Sequence, residues 1–499
     1  VVDEHGATIG GLALDGGRVE FTASYTPGET AYEGSLISTD FTAGEAGGTV
    51  SINVDQGVNP DFGEGNESLT MTDGDIFNEQ NVGSQVTLIS STAGTGSITD
   101  GEVGNLTLDV LVWDENSQSY VDAEEKSATV SILSGDLGEE VADGTYGFKL
   151  VAGNNESTLD LAYGLTNIAI YDGKKLELTG VEDQDNVLSA TISDKDNGSG
   201  SLAVLGGHVE LTNADNSYTG STTVEAGGWL TASAGALGQT SGLTVETDGI
   251  YENAGDNAVG GIEVQGDGEL RLTSGTLTVA LDADEKGSIA GDITGSGNLT
   301  VSGGTVIVEG ANAGYSGTTS VAANGTIAVD DIASLGKGII STGNAETGSG
   351  TVEFDLGPSA VGQGYQLQNA IEGNGTLRID LADAADGTAF NFANGTGDFT
   401  GTLELIGADF TLDASTDVNQ SVVEQAVIVL GNGSQLNVGS DVRDPTPDFH
   451  DRYVAGLALG SGSTVSFGGL VYNPESNNKE YGGQLNLGGG DLDLSQIAE

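Results

Sequence analysis

Asn312-Ala-Gly-Tyr315-Ser-Gly317-Thr-Thr-Ser-Val321, followed by Gly325-Thr-Ile327, is the stretch whose reading decides the fold. Its marks recur along the chain. Asn216-Ser-Tyr218-Thr-Gly220 leads to Val224 and then to Gly228-Trp229-Leu230, and Asp398-Phe399-Thr-Gly401 leads to Leu405 and Leu412. Each time an aromatic residue is followed by Gly two positions on and by an aliphatic residue six positions on. The three aromatics are separated by roughly four turns of about 20–25 residues, a period typical of solenoids. A solenoid presents a long surface rather than a single pocket, so the repeat also decides what kind of function to look for.

Around these marks the chain reads as almost all β. Gly275-Thr-Leu-Thr-Val-Ala-Leu281, Gly304-Thr-Val-Ile-Val308, Gly350-Thr-Val-Glu-Phe-Asp-Leu356 and Gly375-Thr-Leu-Arg-Ile-Asp-Leu381 are short strands opened by Gly. Aliphatic residues at alternate positions point inward and stack on the next coil, while Thr, Asp, Asn and Ser point out. Gly and Asn tolerate the left-handed backbone that the corners demand. The expected fold is an all-β parallel β-helix of roughly 20 coils, a rod on the order of 100 Å long at about 4.8 Å per coil. Sandwich arrays and propellers need longer strands and a period of about 40–50 residues, for which these units are too short and dense. Residues 1–150 are expected to be an irregular part of the helix, with a hairpin running from Leu106 through a turn at Glu115–Gln118 to Leu133. Residues 151–499 are expected to be regular coils, broken by a loop excursion at 441–453.

Composition narrows the function. The 499 residues include 82 Gly but 6 Pro, with no Gly-X-Y period, which excludes collagen. Asp and Glu total 75 against 13 Lys and Arg, a net charge of −62. That balance argues against nucleic acid and against anionic lipid as partners. There is no Cys, so packing and backbone hydrogen bonds alone hold the fold. No stretch approaches the 18 or so apolar residues of a membrane-spanning helix, so direct membrane insertion of this segment is not expected. A signal peptide is expected to have been removed before Val1, and the natural chain to continue beyond Glu499.

The repeat resembles the autotransporter-associated β-strand repeat. Gly295-Ser-Gly297-Asn-Leu299, Asn312, Tyr315, Gly317-Thr-Thr and Val321 follow that family's pattern with one inserted residue. Asn216, Tyr218, Gly220, Thr222 and Val224 match its centre, and Ala234-Gly-Ala-Leu237-Gly238 and Ile332-Ala-Ser-Leu335-Gly336 match the segment that follows. The match covers about residues 200–420 and is weak over 1–150. The resemblance implies the passenger domain of an AIDA-type autotransporter: a right-handed, three-sided parallel β-helix, exported across the outer membrane by a C-terminal β-barrel and displayed on the bacterial surface. Such a barrel is expected to lie outside these 499 residues. The resemblance identifies a scaffold and not a ligand.

Chemistry is sparse. A serine protease needs Ser, His and Asp within mutual reach. The three histidines, His5, His208 and His450, lie in no protease motif, and His208 reads as a strand-edge residue. The acidic clusters at Glu182–Asn186, Asp194–Asn197, Asp282–Glu285 and Asp380–Asp386 lack the spacing of a calcium loop and read as solvated turns. No metal or cofactor is called for. The one candidate ligand-binding face gathers Asp172, Lys174, Lys175, Asp194, Lys195, Asp196 and Asp215, with Lys175 and Lys195 expected to stack on neighbouring coils. It would hydrogen-bond sugar hydroxyls and, in places, sulfates, although a body at −62 repels anionic glycosaminoglycans at long range. The function expected is a monomeric adhesin passenger without enzymatic activity. It would bind host glycans or matrix proteins (glycosaminoglycans, fibronectin) along a polar face, with affinity accumulating over many weak contacts. Self-association in trans, driving aggregation and biofilm, and a glycan-cleaving enzyme with paired carboxylates are the alternatives.

Overall fold

The computed structural model describes residues 2–25, 32, 34–44, 46–54, 70–72, 76–79, 86–94, 97–114, 117–122, 128–134, 138–153, 156–182, 186–357, 364–384, 387–395, 398–413, 416–439, 452–467, 470–473, 478–481, 485–487 and 491–496. His450, most of the expected 441–453 excursion, and parts of the hairpin turn and of the acidic clusters at 182–186 and 380–386 lie outside the described residues. Two compact units are present. One comprises Val1–Thr179, Asp185–Leu202 and Asp215–Thr219, the other Gly180–Gln184, Ala203–Ala214 and Gly220–Glu499.

The second unit is a parallel β-helix. Each regular coil contributes one strand to each of three faces. Leu243–Val245, Ile250–Ala254 and Asn257–Val259 make one coil, and Ile262–Val264, Glu269–Ser274 and Thr276–Ala280 stack in register on them. The first face is the longest. Its register carries one inward column through Val224, Val245, Val264, Ile289, Val308, Val329, Phe354, Ile379, Leu405 and Leu430. All ten side chains are buried. Each such burial stabilises by about 1.5–3 kcal/mol, so the column is the thermodynamic spine of the unit. Coil length varies while register holds: Thr222 pairs with Leu243, 21 residues on, and Thr351 with Thr376, 25 residues on. Extra residues are taken up at corners, where they leave the inward pattern intact.

The repeat marks are structural. Tyr218, Tyr315 and Phe399 are buried, as are Val224, Val321 and Leu405. The Tyr315 hydroxyl donates to the Thr318 carbonyl at 3.0 Å, and burial pushes its pKa up to about 12. Asn312 is also buried: its side-chain oxygen accepts the Ile293 amide at 2.7 Å, and its amide donates to the Ser334 carbonyl at 2.7 Å. It therefore fastens one coil to both neighbours, satisfying backbone groups that the corner leaves without ladder partners. Gly317 is required by close approach. A Cβ there would strike the Gly297 carbonyl oxygen, and one on Gly338 would strike the Gly317 carbonyl oxygen, so three coils meet glycine on glycine at this corner.

The first unit builds looser coils on the same plan. Ala7–Ile9 pairs in parallel with Leu36–Ser38, Leu12–Leu14 with Phe41–Ala43, and Gly17–Tyr25 with Gly48–Val54, around a core that includes Phe21, Phe41, Ile52 and Leu88. The expected hairpin is only partly formed. Leu106–Asp114 turns back into Ser119–Asp122, with Trp113 opposite Tyr120. Ala128–Ser134 instead pairs antiparallel with Glu139–Gly153, which forms a longer hairpin with Thr158–Ile170. Within that long hairpin every residue of Thr158–Leu165 is buried, so this stretch lacks the simple in–out alternation of an exposed arm.

Candidate functional site

All seven residues of the expected ligand-binding face belong to the first unit, and the structure brings part of the set together. Ile170 pairs with Asp194 in parallel register, which aligns Lys195 with Tyr171 rather than with Lys175. The backbone confirms the offset: the Lys195 amide donates to the Ile170 carbonyl, whereas the coil next to Lys174 continues at Ser201. The lysines are therefore not stacked. Each is also engaged by a carboxylate. Lys174 meets Glu139 at 2.8 Å, Lys175 meets Glu177 at 3.0 Å, and Lys195 meets Asp143 at 2.7 Å.

Asp143 is the hub of this cluster. It accepts hydrogen bonds from Lys195 and from the Tyr171 hydroxyl, each at 2.7 Å. Burial works to raise its pKa, but those bonds outweigh burial and hold it below the ordinary carboxylate range. Lys195 is raised in turn by the same bond, and Tyr171 is pushed up to about 12, chiefly by its bond to Asp143. Asp194 closes a corner rather than facing solvent: it accepts the Gly200 amide at 2.8 Å, the Thr219 amide at 3.0 Å and the Thr219 hydroxyl at 2.6 Å. Asp172 accepts the Ser199 amide at 3.0 Å. Asp196, in left-handed backbone with φ of 52°, and Asp215 are exposed at turns. The face is polar, and each of its three lysines is paired with a carboxylate while its side chain stays 39–43% exposed.

The second unit holds a cluster that the sequence reading passed over. His208, Trp229 and Arg271 lie on the face formed by residues 207–211, Gly228–Ala232, Ile250–Ala254 and Glu269–Ser274. His208 pairs with Trp229 one coil on, and their rings lie 4.3 Å apart. The Arg271 guanidinium sits 4.8 Å from the centre of the Trp229 ring. It is held there by Glu252 at 3.4 Å and Glu269 at 2.8 Å, and Thr294 donates to Glu269 at 2.6 Å. The Arg271 bond is the main reason Glu269 stays strongly acidic. His208 contacts the Thr231 hydroxyl at 2.8 Å. The signal was present in the spacing, since Trp229 takes an outward position that the repeats otherwise give to Thr, as in Gly325-Thr-Ile327. Arg378 repeats the charge arrangement on the first face, with Glu353 at 3.5 Å and Glu404 at 4.0 Å from the neighbouring coils. Among the described residues no group of three or more His, Asp or Glu is arranged to hold a metal ion.

The chain is 33% identical over 353 residues to an uncharacterized lipoprotein, YdeK, of Escherichia coli K12, covering 67% of this chain and 24% of that protein. It is 29% identical over 341 residues to the uncharacterized protein YuaQ of the same organism, covering 67% and 23%. Over 172 residues it is 31% identical to the adhesin BmaC autotransporter of Brucella suis biovar 1, covering 32% of this chain and 5% of the adhesin. The chain thus spans a quarter or less of the length of the curated relatives it matches. No protein-family model matches it, and no solved structure matches it. The similarity to BmaC supports an autotransporter-like relationship.

Proposed function

We propose that this chain is a segment of an autotransporter passenger, displayed on the bacterial cell surface, that acts as a non-catalytic adhesin. It binds host matrix components along the outward ladders of its coils. The observation that carries this reading is the division of labour between positions. Tyr218, Tyr315, Phe399, Asn216 and Asn312, the marks of the repeat, are all buried. They build the coil and leave the outward positions as the chemistry the molecule offers. The name of the BmaC relative supports an adhesive role for such a surface.

The pairing of Lys174, Lys175, Lys195, Arg271 and Arg378 with carboxylates bears on the ligand. Sulfated glycosaminoglycans need cations that are free to meet them. These five are neutralised in place, within a chain whose net charge is −62. Uncharged glycans and basic segments of proteins such as fibronectin suit the surface better. Solid-phase binding of the purified chain to fibronectin, to glycosaminoglycans and to uncharged matrix glycans tests the reading. Saturable binding to at least one of these supports it, and binding to none of them sinks it.

A further inference from the structure

The third face of the second unit differs from the other two in charge. Its outward central column runs Ala258, Thr278, Thr300, Ser320 and Ser341 before it reaches Glu372. The flanking outward positions are Thr276 and Asn298 on one side and Ala280, Ser302 and Ala322 on the other. Four coils of surface therefore carry no ionisable side chain at these positions, in a chain with 75 acidic residues. Among the described residues no hydrogen bond engages the hydroxyls of Thr278, Thr300 or Ser320. They are neither exposed tips nor core groups but half-buried, and each can donate and accept.

At one end this surface dips into a groove of about 540 Å³ lined by Gly235, Gly238, Asp256, Ala258, Thr276 and Thr278, with the buried side chain of Asn257 at its floor. Asp256 supplies the one charge. Its carboxylate accepts the Thr276 amide at 2.8 Å, which fixes it at the groove wall beside the Thr276 and Thr278 side chains.

We propose that this groove binds a pyranose unit of an uncharged glycan, with the chain of sugars continuing along the Thr278–Thr300–Ser320 column. Asp256 accepts hydroxyl hydrogen bonds, and the threonine and serine hydroxyls both give and take them. Successive coils are about 4.8 Å apart, close to the advance of one pyranose along an extended β-linked chain, so each coil meets one sugar. The lining rejects the alternatives. A sulfated sugar would face Asp256 with no cation to offset it, and a basic peptide would find one carboxylate where it needs several. With no aromatic ring in the groove, single-site affinity is expected on the order of millimolar, useful only when repeated along a polymer.

The proposal deepens the adhesive reading and rests on it for its biological meaning. It is tested by ligand-observed NMR on the full chain with cellohexaose, chitohexaose, a β-galactan oligosaccharide and, as the anionic comparator, a heparin hexasaccharide. At least one uncharged oligosaccharide should bind. Thr278→Val, which keeps the β-branched shape, and Asp256→Asn, which keeps an acceptor for the Thr276 amide, should each weaken that binding about 5-fold or more. Thr223→Val, on the first face, should leave it unchanged. Unchanged circular dichroism and melting would show that the variants fold. Preference for heparin, binding unaffected by both groove variants, or no binding by any uncharged probe overturns the proposal. Adherence with no uncharged sugar bound would overturn it and leave the adhesive reading standing. Sugar binding without adherence would support it and overturn the adhesive reading.

Discussion

Replacing Gly317 by Ala should be among the most damaging single-methyl changes this chain can carry. The added Cβ would sit inside the van der Waals radius of the Gly297 carbonyl oxygen and within 2.9 Å of a Tyr315 ring carbon. Neither neighbour can retreat. The Gly297 carbonyl belongs to the backbone of the adjoining coil, and the Tyr315 ring is buried. Relief must come from parting the coils, which strains the bonds from the Ser316 amide to Gly295 at 2.9 Å, from the Leu299 amide to Thr318 at 3.0 Å, and from the Thr318 amide to the Asn298 side chain at 3.0 Å. Three such bonds at about 1 kcal/mol each, with about 1–3 kcal/mol for overpacking, give a loss of about 4–6 kcal/mol. Gly357→Ala is the matched control, because a Cβ there meets nothing within 4 Å. Urea denaturation followed by circular dichroism and limited proteolysis reads both variants. A loss under about 1 kcal/mol for Gly317→Ala, or equal losses for the two, would refute the reasoning that glycine is required there by coil contact.

Three further outcomes are expected. Asn312→Ala should destabilise the second unit by about 2–4 kcal/mol in the same assay, because it leaves the Ile293 amide and the Ser334 carbonyl buried without their partners. Lys149→Met should stabilise the first unit at pH 7 by about 1–3 kcal/mol, since burial lowers the Lys149 pKa to about 8. The folded pKa lies below the unfolded value of 10.5, so the unfolded state holds more protons between the two and wild-type stability rises with pH across that window; the gap between variant and wild type should close above it. Arg271→Met, in a Trp113→Phe background, should increase acrylamide quenching of Trp229 and cost about 1–2 kcal/mol, because it removes the guanidinium over the ring and leaves Glu252 and Glu269 facing each other.

The architecture was legible in the sequence wherever period and inward pattern coincided. Val224, Val245 and Val264 fall in one inward column because each ends a short strand before a Gly- or acid-bearing corner. The roles of Tyr315 and Gly317 as scaffold residues follow from the same logic. What could not be read was pairing across variable corners. Lys175 and Lys195 are separated by about the length of one coil, yet Ile170 pairs with Asp194, 24 residues on, and Lys195 falls beside Tyr171. A period fixes which residues face out, but the phase is reset at each insertion. The long hairpin at Glu139–Ile170 escaped for a different reason. Thr158–Leu165 is buried at every position, so that stretch lacks the alternation that marks a half-exposed ribbon. The His208–Trp229–Arg271 cluster is hard to see in the sequence because Trp229 sits inside a repeat segment between Gly228 and the buried Leu230, while its own half-buried side chain faces outward beside His208.

The most direct measurement is adherence. Bacteria displaying this chain on their surface should bind matrix-coated wells and host cells more than bacteria displaying an unrelated β-helix at equal density. Soluble chain added beforehand should compete that binding away. Equal adherence of the two strains, with display verified by surface labelling, would contradict an adhesive function for these coils.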